Sequence, residues 1–340
     1  MKKALSLILL ISALIATFVS CDKDEDTKPL KVGLVLSFGT ISDKGFNQMA
    51  YEGLLLADEE LDLEWEIKES SAVAEISSNI AYFAANNFDV IVALGFDAAQ
   101  PTLDAANAHP EIKFVLLDAS FAELPANLAC ITYQIDQVSF PAGFLAAYWA
   151  NQTDPTDAKV GNVAGPEIPP ILQFTQSFAA GVAYFNNQYT RVVTLNKVHA
   201  TDFNDTLQGA NLAESLIQAG ADVMFACAGT TGNGSLYQAK NIGIVGIGVD
   251  TDQYFTIPDV GDILLTSCMK RLDQSLYQEM IAINNRQFHG GSTSIGNLTN
   301  SGVELAPFHD FETQIPDSIK TALAGIRQGI ISGTINTGWN

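Results

Sequence analysis

KVGLVLSFGTISDKGFNQMAYEGLLLADEE, residues 31–60, carries the reading of the fold. Its opening run, 31–38, is apolar with little interruption, as in a strand covered on both faces. Residues 43–60 then place apolar side chains at helical spacing, behind Ser42 and Asp43, residue types that cap helices. A strand, a polar turn and a helix make the first half of a parallel βαβ unit.

Working outward, the pattern repeats. Strands are expected at 63–69, 88–95, 113–118 and 129–134, with helices at 73–87 and 98–108 between them. A second series opens with a helix at 136–150. It continues through strands at 158–165, 190–198, 221–229, 244–250 and 261–270, and helices at 168–187, 204–219, 232–240 and 270–286. A final amphipathic helix covers about 315–329. Alternating strands and helices with apolar strands give an α/β fold of doubly wound parallel sheets. Two such series give two lobes, and the absence of a Pro- or Gly-rich linker joins them by hinge segments. The expected division assigns 30–135 and about 252–288 to lobe I, and 136–251 and about 289–340 to lobe II.

Ligands of such sheets bind beyond the carboxyl ends of the strands, so the residues there carry the functional reading. After the first strand stand Asp43, Phe46 and Asn47; Asp43 is a helix cap or a ligand contact, and Phe46 is core or an exposed ring. Gly95 and Asp97 follow the third strand as a turn or as a close approach to a ligand. Phe203 lies in TDFND (201–205), where a ring among polar residues can stack on a flat ligand or pack across a cleft. GTTGNG (229–234) lacks the lysine of a phosphate loop, so Gly229 reads as part of a turn that admits small ligand groups to the backbone. Asp250 can accept two hydrogen bonds from a vicinal diol, or cap a helix. Asp252 is too near in sequence to form with it a carboxylate pair flanking one glycosidic bond. Lys270, ending LLTSCMK, can bind ligand or balance Asp250.

The 340 residues carry 17 basic and 38 acidic side chains, a formal charge of −21, which excludes a nucleic-acid binder and electrostatic docking on an anionic membrane. Lys2 and Lys3 precede a sixteen-residue apolar run at 4–19, short for a bilayer span and suited to a signal-peptide core. That run ends at Ser20-Cys21, as in a bacterial lipoprotein signal whose cysteine is lipidated, with an ordinary secretory signal as the alternative. Residues 21–29 then form an acidic tether. Loss of 1–20 removes two lysines and no acid, so the formal charge of −21 becomes about −23. Cys130, Cys227 and Cys268 sit in apolar stretches without C-x-x-C spacing and read as buried thiols. The four histidines show no metal-ligand spacing, and no nucleophile elbow is present.

Taken together, KVGLVLSFGTISDKGFNQMAYEG, FDVIVALGF, KFVLLD, FPAGFLAA, QSFAAGV, GADVMFACAGTTGNGS, GIGVDTDQ and LLTSCMK resemble, in order and spacing, the basic membrane protein family of lipoproteins. These are purine-nucleoside receptors of ABC-type importers. The resemblance implies a type I periplasmic-binding-protein fold with a three-stranded hinge. It implies that Phe46 and Phe203 stack on the base, that Asp43, Asn47, Asp250 and Lys270 bind ribose and base, and that Gly229 contacts the ligand, with Gly95 and Asp97 as further contacts. It implies no enzyme, no cofactor and no metal. The expected partners are a nucleoside, a permease and, through lipid on Cys21, the cell envelope, with the receptor a monomer. Ser42 stands where many members carry a second acid, which bears on base selectivity. Other readings are a sugar or another heteroaromatic metabolite on the same fold, a ligand-sensing receptor, and a nucleoside hydrolase using Asp250 and Asp252.

Overall fold

The computed structural model describes residues 28–339. The signal segment, Cys21 and most of the tether lie outside the described residues. The first sheet takes strands β1 (Lys31–Phe38), β2 (Glu64–Ser70), β3 (Val90–Leu94), β4 (Lys113–Leu117), β5 (Leu128–Tyr133) and β11 (Thr293–Gly296), in the order β11-β5-β4-β3-β1-β2. Every pairing in it is parallel, and Val92 sits in register between Leu34 and Val115. The second sheet takes β6 (Lys159–Ala164), β7 (Thr194–His199), β8 (Val223–Cys227), β9 (Val245–Asp250), β10 (Leu264–Lys270) and β12 (Val303–Leu305), in the order β12-β10-β9-β8-β6-β7. It is parallel except at β10–β12. The central strands β3 and β8 are buried along their whole length, which is why they read as unbroken apolar runs.

The helices that matter for the site begin at these strand ends. They are α1 (Phe46–Leu61), α4 (Asp136–Thr153), α5 (Pro169–Tyr189), α6 (Thr206–Gln218), α7 (Gly229–Ile242), the short α8 (Gln253–Thr256) and α9 (Leu272–Asn284), with α2 (Val73–Ala85), α3 (Ala99–Ala108) and α10 (Asp317–Ile331) completing the layers. The glycines of FPAGFLAA and QSFAAGV have a packing cause. A Cβ on Gly143 would strike the Phe178 carbonyl, and one on Gly181 the Phe140 carbonyl, so α4 and α5 cross backbone to backbone.

The chain passes between the lobes three times: from β5 into α4, from β10 into α9, and from β11 to β12. The expected division therefore needs correction in two places. Ser267 pairs with Gly248 in the second sheet, so 264–270 stays in lobe II and the chain returns only with α9, which packs on α1. Thr293 pairs with Cys130, so 293–296 belongs to lobe I, and β12 goes back to lobe II. The strands β11 and β12 are four and three residues long, too short to show a period in sequence. Among the described residues no helix is long and apolar enough to cross a membrane.

A candidate ligand cleft between the lobes

The carboxyl ends of both sheets face one cleft between the lobes, with about 720 Å³ free of protein atoms when its open mouth is counted. Asp43, Phe46, Asn47, Gly95 and Asp97 line it from the first lobe, and Phe203, Gly229, Asp250 and Lys270 from the second. The structure thus brings together all nine cleft candidates, though it gives some of them work of another kind.

Asp43 is a cap as well as a wall. Its Oδ1 accepts from the backbone N–H of Gly45 (2.9 Å) and Gln48 (3.1 Å), and its Oδ2 from that of Asn47 (2.9 Å). These bonds satisfy the open amides at the start of α1 and leave Oδ2 with spare acceptor capacity. Burial raises its pKa above the ordinary carboxylate value, against the pull of the three amides. Asn47 is also occupied, accepting from Ser37 N–H (3.1 Å) and donating to the Phe38 carbonyl (3.3 Å), so it fixes α1 to the end of β1.

Five phenylalanines line the cleft, Phe38, Phe46, Phe96, Phe174 and Phe203, and three of them bear on the reading. Phe46 begins α1 beside Gly95, whose φ of 85° and whose distance from the Phe46 ring both suit a residue without Cβ. Phe203 lies over Gly165, where any Cβ would collide with the ring. Phe174, on α5, faces the same space. The Lys270 ammonium lies 5.5 Å from the Phe46 centroid and 5.1 Å from that of Phe174, within cation–π range.

The charge arrangement differs from the sequence expectation. Lys270 does not bond Asp250. It donates to Asp118 Oδ2 at 2.6 Å across the lobes, both side chains largely buried. Asp118 directly follows β4 and Asp250 is the last residue of β9, and both hold left-handed backbone, φ 63° and 69°. That conformation is uncommon outside glycine and tends to mark functional positions. Asp250 is pushed up to about 7 by burial, with Lys270 opposing and the nearby Asp43 and Asp118 adding to the rise. Burial also raises Asp97. Among the described lining residues, four carboxylates thus face a single cation.

The lobes touch beside this cluster. Asn233 Nδ2 donates to the Asp43 carbonyl at 2.9 Å, and Thr256 Oγ1 to the Lys44 carbonyl at 2.9 Å. Gln253 Nε2 reaches the same Lys44 carbonyl at 3.5 Å. Lys44 itself sits at φ 64°, which turns its carbonyl toward the second lobe.

Two further expectations change. The segment 229–234 is the start of α7 rather than a turn before it. Gly209 and Gly234 let the ends of α6 and α7 meet, because Cβ atoms there would strike the Thr231 and Thr206 carbonyls. Asp252 caps α8 through Tyr254 N–H (3.3 Å) and accepts from His309 Nε2 (2.8 Å), so it is not a second cleft carboxylate beside Asp250. The cysteines are buried as expected, and burial pushes Cys130 up to about 11 and Cys227 up to about 12. Asp118 and Phe174 were not singled out in the sequence. Asp118 closes an apolar strand as Asp250 does, and that position was the available signal.

Comparison with known proteins bears on the family and the fold. The profile of one family, Bmp, described as ABC transporter substrate-binding protein PnrA-like, matches residues 30–338. An uncharacterized lipoprotein of Pyrococcus abyssi is 28% identical over 314 residues, covering 89% of this chain and 76% of the relative. The ABC transporter nucleoside-binding protein BmpA of Lactococcus lactis is 25% identical over 324 residues, covering 90% and 88%. A solved ABC transporter solute-binding protein from Aeropyrum pernix superposes with a TM-score of 0.85 at 25% identity, covering 91% of this chain and 93% of that one.

Proposed function

The chain belongs to the PnrA-like family of ABC transporter substrate-binding proteins, and from that premise we propose that it captures a purine nucleoside between its lobes and presents it to a permease. The observation that carries the reading is the make-up of the cleft. Phe46 and Phe203 enter from opposite lobes, beside carboxylates able to accept from ribose hydroxyls. Stacking contributes roughly 1–3 kcal/mol per base by analogy with single-strand binders. Asp250 accepts from the vicinal diol, and Asp43 offers the remaining lone pair of Oδ2. Lys270 orients Asp118 and draws Asp250 electrostatically toward its charged form. Four carboxylates against one lysine favour an uncharged, donor-rich ligand over a phosphorylated one.

The name of the Lactococcus relative, a nucleoside-binding protein, supports the same ligand class. Relatives named as lipoproteins support attachment through Cys21 and an extracytoplasmic site. The receptor acts as a monomer, and ligand favours the closed state because it touches both lobes at once. A sugar is the second reading, since sugars also stack on rings. Calorimetry with inosine, guanosine, adenosine and a panel of free hexoses and pentoses separates the two. Binding of hexoses alone overturns the nucleoside reading.

A further inference from the structure

Beyond Asp97 the cleft does not end. It adjoins an open surface groove, and Phe96, Asp97, Asp118 and Pro170 line both spaces. The groove wall adds Phe121 from lobe I and Trp339 from lobe II, while Phe96 is 46% exposed. Hydrogen bonds to the Asp43 and Lys44 carbonyls join the lobes at residues that do not line this groove. The space around the candidate site therefore continues past Asp97 between aromatic rings.

Trp339 is not there by accident of a loose end. Thr337 Oγ1 donates to Asp136 Oδ2 at 2.7 Å, and Gln173 Nε2 donates to Asp136 Oδ1 at 2.8 Å. All of Thr337 but 6% is buried. Gly338 takes φ 84° against Ala180, a turn that a side chain would block. Asp136 is the first residue of α4, just past the crossing from β5, so the segment 336–339 is keyed to the hinge itself. Asp136 thus ties the 336–339 segment, through one oxygen, to α5, through the other, and a buried carboxylate is a costly way to secure a surface residue unless that residue has a place to occupy.

We propose that this groove is a second subsite, with Trp339, Phe96 and Phe121 receiving a flat, apolar substituent that projects from the nucleoside in the main cleft. The proposal rests on the nucleoside reading and extends its ligand class to aryl-substituted nucleosides. Asp97 and Asp118 at the junction disfavour a phosphate linker, so the substituent is joined through an uncharged group. The groove shares Phe96 with the cleft wall that also holds Phe46, and Asp118 with the Asp118–Lys270 pair. Attachment through the base and attachment through the ribose 5′ position are thus the two arms of the test.

The test is calorimetry of the purified protein with adenosine, N6-benzyladenosine and 5′-O-benzoyladenosine, for wild type, W339A and W339F. The subsite requires that at least one benzylated or benzoylated ligand bind wild type no more than tenfold weaker than adenosine. Its affinity relative to adenosine should then fall roughly tenfold in W339A, the size of one aromatic stacking contact, and recover in W339F. Fluorescence supplies a second readout. Of the three tryptophans, Trp65 is bonded to Asp58 and Trp149 packs on Phe311, so a W65F/W149F protein reports Trp339 alone. The matching ligand should change that emission more than adenosine does. If adenosine binds but both extended ligands fail, or if W339A leaves the affinity ratio within twofold, the groove is only the mouth of the cleft and the proposal is wrong. If no unmodified purine nucleoside binds, the nucleoside reading itself fails and the subsite falls with it.

Discussion

Replacing Asp250 with Asn should abolish a pH dependence that wild-type binding ought to show. Burial between the closed lobes lifts the Asp250 carboxyl from an ordinary 3.8 to about 7, with Asp43 and Asp118 adding to the rise and Lys270 opposing it. Ionising it there without ligand costs roughly 4 kcal/mol relative to water, at about 1.36 kcal/mol per pKa unit. Ligand hydroxyls donating to the carboxylate offset that cost, so ligand prefers the ionised form and competes with the proton. The sign follows: affinity falls as pH drops below about 7. With the bound-state value near the ordinary one, linkage gives about a tenfold loss between roughly pH 8 and pH 6, or about 1.4 kcal/mol. At about pH 6 the free closed site is about nine-tenths protonated, so binding should release close to one proton. Calorimetry in two buffers of different ionisation enthalpy counts that proton directly. The Asn variant keeps the shape but accepts with one oxygen only. It should bind about 2 kcal/mol more weakly at alkaline pH and show no slope. Wild-type affinity that stays flat or improves toward pH 6 would refute the reasoning, as would a slope that survives in the Asn variant.

The other predictions concern the rest of the cleft. Phe46→Ala and Phe203→Ala should each cost roughly 1–3 kcal/mol of nucleoside affinity in calorimetry; a change below twofold removes that ring from the site. Thr256→Val deletes the hydrogen bond to the Lys44 carbonyl. The loss of about 1 kcal/mol should appear in stopped-flow as faster release with little change in the association rate. Lys270→Met strands the buried Asp118 carboxylate. It should destabilise the closed, ligand-bound protein by about 3–5 kcal/mol, read as a loss of ligand-induced Tm shift, with partial recovery in Lys270→Met/Asp118→Asn. Cys21→Ser should move the protein from the detergent phase to the aqueous phase on Triton X-114 partition; unchanged partition would remove lipid from the account.

What the sequence disclosed was whatever is local. A buried parallel strand is an unbroken apolar run, so β1, β3 and β8 could be read directly, as could the special residues just after them. Phe46 and Phe203 stand out because polar turns seldom carry a ring, and Asp43 because it stands just before a helix, where carboxylates cap. What stayed hidden depends on residues distant in the chain. Lys270 could be matched with Asp250, its neighbour across β9 and β10, but its partner Asp118 is 152 positions away and in the other lobe. Phe174 reads as ordinary core because an aromatic on an amphipathic helix most often is core. The lobe to which β10 belongs is set by pairing, and no property of LLTSCMK states it. The glycines of 229–234 were read for ligand approach, whereas Gly234 serves the contact of two helices, a demand that only the packed structure reveals.

The most direct test of the central claim is mass spectrometry of small molecules released when the protein, purified under native conditions, is denatured. The account predicts an intact purine nucleoside, present in near-stoichiometric amount and depleted in the Phe46→Ala/Phe203→Ala protein. Recovery of a sugar with no nucleoside, or of free base and ribose from added inosine, would contradict it.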